Sequence, residues 1–597
     1  MSTLSWILAG IGLYWIAIIW ARRNRLLPSY IGTQGPILTV HTKRGRAFLD
    51  RIAQYRTFWR AWGNFGVGLA FVILIGSFLF LAFAAVSTVQ NPTPTPVNQP
   101  RNVLVIPGVN EFLPLSAAPE IVLGLLVGLV VHEGGHGIFC RVGDIEIESM
   151  GIALFTLIPI GAFVEPDEES RRRADRGAQS RMFAAGVMNN FAITVIAFAL
   201  LFGPVIGMIG VAGGAAVGDS LPGSAAASAG IDGGERIVAV GDRQVQNNTD
   251  LERTLRAVDA QTVKVTYVEG NERRTTTVDR SLLITGMQAV SPFRELVGGG
   301  EVTEQTASRI VSVNGTTIHT ETDLQETLAN RTVIQLTTAG GESATGPAGA
   351  LVRAQAGSPT GTAGAPTGEW IIVTRIDGVR VTSAADLSDV MATTDPGQTV
   401  PIVAYHDGTR QQYDVTLGDH PRESYGFLGV DVMPGISGMQ VNDFGTRLYP
   451  AELYLTLLGG GDGGGGSFFG RMFFALQLPL ASVTGGAGLE FNFAGFTGGI
   501  QNFYVVNGLP TALWGAVFLF ANALFWTGWI NLNLGFFNCI PAFPLDGGHL
   551  LRMAAESVVA RLPVSRRRRL TTMVTTSIGL AMLVSLLLTI FGPQLLT

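Results

Sequence analysis

The stretch VVHEGGHGIFC, residues 130–140, decides how the chain is read, and it closes an apolar run that begins at about 118. On a helix, His132 and His136 stand one turn apart, so both imidazoles leave the same face and can hold one metal ion, with Glu133 beside them. The bland alternative is a chance pairing. Only 7 histidines occur in 597 residues, and three ionisable groups at the end of a membrane helix are costly unless paired or coordinated. The metal site is therefore the preferred reading. Gly134 and Gly135 each weaken a helix by about 1 kcal/mol relative to alanine, and they are expected to let another backbone approach the metal.

Outward from this motif the composition is that of a membrane protein. Charged residues make up 14% of the chain and hydrophobic ones 47%, against about a quarter charged in soluble proteins. Apolar runs at about 4–20, 64–86, 118–140, 182–209, 511–540 and 571–592 predict six spans. The first is read as an anchor and not a removable signal peptide, because arginines follow it and no small-residue cleavage site does. Nine basic residues between Arg22 and Arg60 face the single acid Asp50, and Arg566 to Arg569 form a second basic loop. The positive-inside rule places these loops in the cytoplasm. The two cysteines exclude a disulfide scaffold. No basic patch interleaved with aromatics is present, so nucleic-acid binding is not expected.

The region 211–430 is soluble in character and internally repetitive. ERIVAVGDRQVQNNTDLERTL (235–255) and SRIVSVNGTTIHTETDLQETL (308–328) align without a gap, and TRIDGVRVTSAADLSDVM (374–391) repeats the pattern. Each reads as a strand, a glycine turn, a short strand and an amphipathic helix, with Asp250, Asp323 and Asp386 as the expected N-caps. Beyond 434, the run Gly459–Gly466 containing Asp462 is expected to be a flexible linker. Residues 468–508, apolar but broken by glycine and proline, suit an interfacial or re-entrant segment.

A catalytic zinc site needs a third protein ligand. NCIPAFPLDGGH (538–549) supplies the best candidate: Pro541 and Pro544 break the helix, and irregular backbone at membrane depth survives only where it lines a protein-enclosed or polar pocket. Asp546 is the only carboxylate in that loop. His549 and Cys140 compete with it, against readings as a loop histidine and a buried apolar thiol.

Taken together, HEGGH at 132–136, NCIPAFPLDGG at 538–548 and soluble repeats between them resemble the site-2 protease family of intramembrane zinc metalloproteases. AAGVMNNF (184–191), with Val187 where the family usually has proline, and LIPIGAFVEPDEE (157–169) support the likeness, and LPGSAAASAGIDGGE resembles the opening of PDZ domains. The resemblance implies Zn2+ held by His132, His136 and Asp546, Glu133 as general base, and Asn190 and Asn538 bracing the site or the substrate backbone. It also implies transmembrane protein substrates cut within the lipid bilayer of the cell membrane, in regulated intramembrane proteolysis. The fold class expected is a polytopic α-helical membrane protein of about six spans with an inserted extracytoplasmic α+β region of tandem PDZ-like domains. Its divisions are two N-terminal spans with their loops (1–117), the first half of the protease core (118–210), a PDZ-like domain (211–285), a degenerate PDZ-like repeat (286–347) and a second PDZ-like domain (348–433). A glycine-rich linker with the interfacial segment (434–510) and the second half of the core (511–597) complete it. An inactive membrane-anchored PDZ scaffold or adaptor is the alternative, and the presence of Glu133, dispensable for mere binding, speaks against it. A transporter would show a membrane repeat, and none is visible. Oligomeric state and substrate identity are not legible.

Overall fold

The computed structural model describes residues 3–24, 26–28, 30–34, 37–92, 95, 99, 102, 106–110, 112–155, 158–299, 308–421, 423–461, 466–484 and 489–596. Most of the proline-rich loop at 91–100, and residues 462–465 of the glycine run with Asp462, lie outside them. The chain forms two compact units. One comprises Met1–Gly210, Glu452–Gly498 and Val505–Thr597, the other Val211–Ala451 and Gly499–Tyr504.

In the first unit, five helices among the described residues are long and apolar enough to cross a membrane: Arg56–Gln90, Leu115–Val142, Arg176–Met208, Thr511–Asn538 and Arg567–Leu595. The expected first span is helical (α1, Thr3–Arg23) but is not one of these five. After it come α2 (Lys43–Ala53), α3 (Arg56–Gln90), α4 (Ala118–Val142), α5 (Arg176–Leu200), α6 (Trp514–Asn538), α7 (Asp546–Val559) and α8 (Arg567–Leu595). Helices in lipid gain little from apolar burial against one another and associate where small residues let backbones meet. That happens along α4. A Cβ on Gly124 would lie 2.8 Å from the Trp526 carbonyl oxygen of α6, and one on Gly135 would lie 2.9 Å from the Ala185 carbonyl oxygen of α5.

The basic segment after α1 is more than a loop. It supplies β1 (Ile31–Gln34) and β2 (Ile37–His41), which join β3 (Ile147–Phe155) and β4 (Ile158–Pro166) in an antiparallel sheet of order β1-β2-β3-β4. Val40 of β2 pairs with Ile152 of β3. Thr42 caps α2 by accepting the Gly45 N–H. Leu49 of α2 is buried with Ile138, Phe139 and Cys140 of α4, and Gly137 makes room for it, since a Cβ there would come within 2.5 Å of Leu49. β4 is left as an edge strand beside α4.

Residues 489–497 are irregular, and α6 satisfies their backbone. Asn522 accepts from the Phe496 N–H at 2.7 Å and donates to the Phe496 carbonyl at 3.0 Å, while Trp526 donates to Ala494 O at 3.0 Å. Non-helical chain at membrane depth requires such partners. The short apolar helical stretch Phe468–Thr484 precedes it.

In the second unit, three segments run through the same succession of strand, short strand, helix and antiparallel strand pair, with helices at Asn248–Arg256, Glu321–Ala329 and Ala384–Met391. Each has its own buried cluster, centred on Val265, Leu336 and Ile402. The N-caps are Asn247, Thr320 and Ser383. Asp250, Asp323 and Asp386 stand three residues further on and correct the expectation: their carboxylates accept the N–H groups of Gln246, His319 and Thr382, reaching back over the cap. The stretch that follows 434, set apart from the repeats in the sequence reading, pairs with them up to Leu448. After Val430–Met433 pairs with the third segment, Met439–Asn442 pairs with Leu283–Met287 and Thr446–Leu448 with Ala215–Ser220, so the returning chain closes all three bodies in reverse order.

Where the first and second bodies meet, Arg280, 2% exposed, donates to Asp443 at 2.6 Å, and the same carboxylate oxygen accepts the Glu321 N–H at 2.8 Å. Burial, then the nearby Asp443 charge, push the Glu321 carboxyl up from an ordinary 4.5 to about 7. The native state therefore holds a proton that the unfolded chain releases. The associated stability is full below about pH 4.5 and is lost as pH rises through about 7. Glu321→Gln is expected to abolish this slope. The check is hydrogen exchange of amides 321–329 between pH 5 and 8 (about the span of the titration), corrected for intrinsic rate: protection falls with pH in the wild type and stays level in the variant.

Candidate metal centre

His132 and His136 lie on α4 one turn apart, and Asp546 is the first residue of α7, after the proline-broken loop. His132 Nε2 is 3.1 Å and His136 Nε2 3.3 Å from Asp546 Oδ2, and the two Nε2 atoms are 3.3 Å apart. A tetrahedral zinc site with bonds of about 2.05 Å has ligand–ligand edges of about 3.3 Å, so the triangle has the size of one face of such a site. All three side chains are nearly shut off from solvent, at 7%, 12% and 12% exposure. Asp546 Oδ2 is buried and accepts no hydrogen bond. Two imidazoles and a carboxylate with an unsatisfied oxygen fit a zinc ion.

The ring nitrogens turned away from the triangle are also placed. The Met182 carbonyl, 2.8 Å from His136 Nδ1, can only accept, so Nδ1 carries the proton and Nε2 presents its lone pair to the centre. Asn190, fully buried, has its amide nitrogen 3.3 Å from His132 Nδ1 and its Oδ1 without a partner. The two ends of a carboxamide have one shape. Turned over, Asn190 accepts His132 Nδ1–H and frees Nε2 in the same way.

Backbone approach makes this arrangement possible. At Gly186 of α5 a Cβ would lie 2.6–2.7 Å from three atoms of the His132 ring. At Gly547 it would lie 2.3 Å from the Cys539 carbonyl oxygen, and at Gly548 2.7 Å from the Ala542 carbonyl carbon, so the turn into α7 tolerates only glycine after Asp546. Of the two glycines inside the motif, Gly135 admits α5 as expected, while Gly134 faces open space. Glu133 Oε2 accepts the Val164 N–H at 2.9 Å, so the edge of β4 fixes one oxygen of that carboxylate.

The remaining candidates fall elsewhere. His549 stacks on Phe183 at 4.3 Å and meets the Phe543 ring edge-on at 5.1 Å. Cys140 lies 3.5 Å from Met182 sulfur. Asn538 donates to Leu534 O in its own helix at 2.9 Å. Neither His549 nor Cys140 belongs to the group of His132, His136 and Asp546, whose ligand atoms lie within 4.8 Å of one another. Sequence reading missed the Met182 carbonyl, which no side chain signals, and Gly186, which stands in the AAGVMNNF stretch and was open to a packing reading.

Five helices long and apolar enough to cross a membrane, with two histidines and an aspartate grouped as a possible metal site, define the class as a membrane protein with a candidate metal centre. The sequence profile of Peptidase family M50 matches residues 120–357 and 495–586, more than half the chain, and the protein belongs to this family, that of the site-2 proteases. An uncharacterized protein of Methanocaldococcus jannaschii is 27% identical over 188 residues, 31% of this chain and 48% of that protein. The chain thus spans about half the length of that curated relative.

Gly186→Ala is expected to push the His132 ring out of the triangle and weaken metal binding by about tenfold or more, with the protein still membrane-inserted. Metal titration of the purified variant against wild type measures this.

Proposed function

We propose that the protein is a zinc-dependent intramembrane endopeptidase that cleaves transmembrane segments of other membrane proteins, as in regulated intramembrane proteolysis. One observation carries the reading: a zinc-sized triangle of His132, His136 and Asp546, with Glu133 held beside His132 on the same helix. A zinc ion held by these three residues would supply Lewis acidity, lowering the pKa of water to about 7 and polarising a scissile carbonyl. Glu133, with one oxygen occupied by the Val164 N–H, keeps the other for the proton, taking it from the attacking water and passing it to the leaving amine. His136 and His132 are oriented by Met182 and Asn190 and move no proton. Asn538 is assigned to bracing the helix end that leads into the ligand loop.

A helical substrate must unwind before its peptide bond is accessible. β4 has β3 on one side only, and its free edge faces α4 where Val164 meets Glu133, which supports pairing of an unwound segment by strand addition. A cavity of about 440 Å³ lined by Val72, Ile73, Gly76, Phe191, Leu532 and Phe536, between α3 and α6, suits an apolar segment arriving from lipid.

In the proposed topology the arginine-rich ends of α3, α4, α5 and α8 lie in the cytoplasm and the region 211–451 on the other side of the cell membrane. The first and third bodies, whose lead-in helices are capped by Ser224 and Ser358, are assigned as PDZ-like domains, and the middle one as a degenerate repeat. They gate access of substrates to the membrane.

Glu133→Gln is expected to keep zinc near the wild-type level and lower cleavage of a membrane-spanning reporter by about 100-fold or more; substantial retained cleavage would contradict the mechanism. Asp546→Ala is expected to lose both zinc and cleavage. His549→Ala and Cys140→Ala should keep both, because those side chains pack against Phe183 and Met182 and not toward the triangle. Zinc analysis of the purified variants decides between the three.

A further inference from the structure

At the arginine-rich ends of α5, α7 and α8 a cavity of about 500 Å³ opens beside the ligand loop. Its rim carries Arg176, Arg552, Arg567 and Arg568. The one carboxylate there, Glu556, is engaged by Arg552 at 3.1 Å. Among the described residues Arg567 reaches only the Leu562 carbonyl, at 3.5 Å, and Arg176 and Arg568 form no ion pair. The rim therefore concentrates positive charge with one balancing acid, in a place where guanidinium groups are favoured for phosphate recognition.

The inner wall has a different chemistry. Thr571 and Thr575 are each 5% exposed, and their hydroxyls donate to carbonyls of their own helix, those of Arg567 and Thr571, at 3.2 and 3.0 Å. Their hydroxyl hydrogens are thereby used within the helix. Phe543, half-exposed, and buried Val559 add an apolar part to this wall, with Thr572 and Thr576 beside them. A free inorganic anion would use the rim and leave this wall bare. A molecule with a phosphate at one end and hydrocarbon at the other uses both, and the cavity stands where α8 emerges from its apolar run.

We infer that this cavity is a binding site for the headgroup of an anionic phospholipid, with the phosphate among Arg176, Arg567 and Arg568 and the glycerol and first acyl carbons against Thr571, Thr575 and Phe543. Basic pockets between membrane helices recognise such headgroups. Phe543 lies three residues before Asp546, so the lipid braces the loop that presents that carboxylate. None of His132, His136 and Asp546 lines the cavity.

The test is thermal unfolding of the full-length protein in detergent with added phosphatidylglycerol, phosphatidylcholine or inorganic phosphate. Phosphatidylglycerol is expected to raise the unfolding temperature by roughly 3 °C over phosphatidylcholine. The rise should fall by at least half in Arg567→Gln/Arg568→Gln and persist in Arg172→Gln/Arg173→Gln, whose arginines pair with Glu168 and Glu169 outside the cavity. Each rise is taken within one variant, so a general loss of stability does not mimic the result. Should the first double variant not be recovered folded, Arg176→Gln carries the same expectation. An equal rise with inorganic phosphate would make this a free-anion site and overturn the inference. So would no rise with phosphatidylglycerol, or a rise undiminished in the cavity variants.

Discussion

Burying the Asp546 carboxylate between two imidazoles inside an apolar helix bundle is the constraint on which the membrane unit depends. An ion of that size loses several kcal/mol of hydration even after the surroundings relax, and one of its oxygens accepts no hydrogen bond from the protein. A divalent cation shared with His132 and His136 would compensate it. The rest of the unit serves to bring these groups together: Gly186 yields to the His132 ring, Gly135 lets α5 close on α4, and Gly547 and Gly548 let the turn before α7 fold onto itself. Any side chain at these positions would hold the ligands apart.

The same logic extends to what lies around the centre. The Met182 carbonyl settles which nitrogen of His136 carries hydrogen, and Asn190, whose carboxamide can present either end to His132 Nδ1, lets His132 offer its own Nε2 lone pair to the same point. Glu133 is tied to the sheet through Val164, and that sheet is anchored by a hairpin drawn from the basic segment after α1. The N-terminal portion is therefore part of the architecture of the site, through β2 on β3 and α2 on α4.

How much of this the sequence disclosed follows from the kind of signal each feature leaves. His132, His136 and Asp546 were legible because ionisable groups in apolar runs are few and expensive. Five of the six expected spans were legible because lipid imposes length and composition; the first, at 4–20, forms a helix that is not among those five. The hairpin at 31–41 was not, since short strands among basic residues look like a loop until β3 supplies the partner. The returning strands at 439–448 were hidden for the same reason: pairing with residues some 150 to 230 positions earlier leaves no local periodicity. The capping aspartates show a finer limit. Asp250, Asp323 and Asp386 were recognised as helix-start residues, but Asn247, Thr320 and Ser383 are better placed to cap, and an aspartate three residues in reaches back over the turn.

Zinc K-edge absorption of the purified, zinc-loaded protein addresses the ligand set directly, because nitrogen and oxygen neighbours stand at about 2.0–2.1 Å and sulfur at about 2.3 Å. The account predicts two imidazoles and light-atom neighbours only. A sulfur shell, which would bring in Cys140, or a spectrum requiring a third imidazole, which would bring in His549, would contradict it.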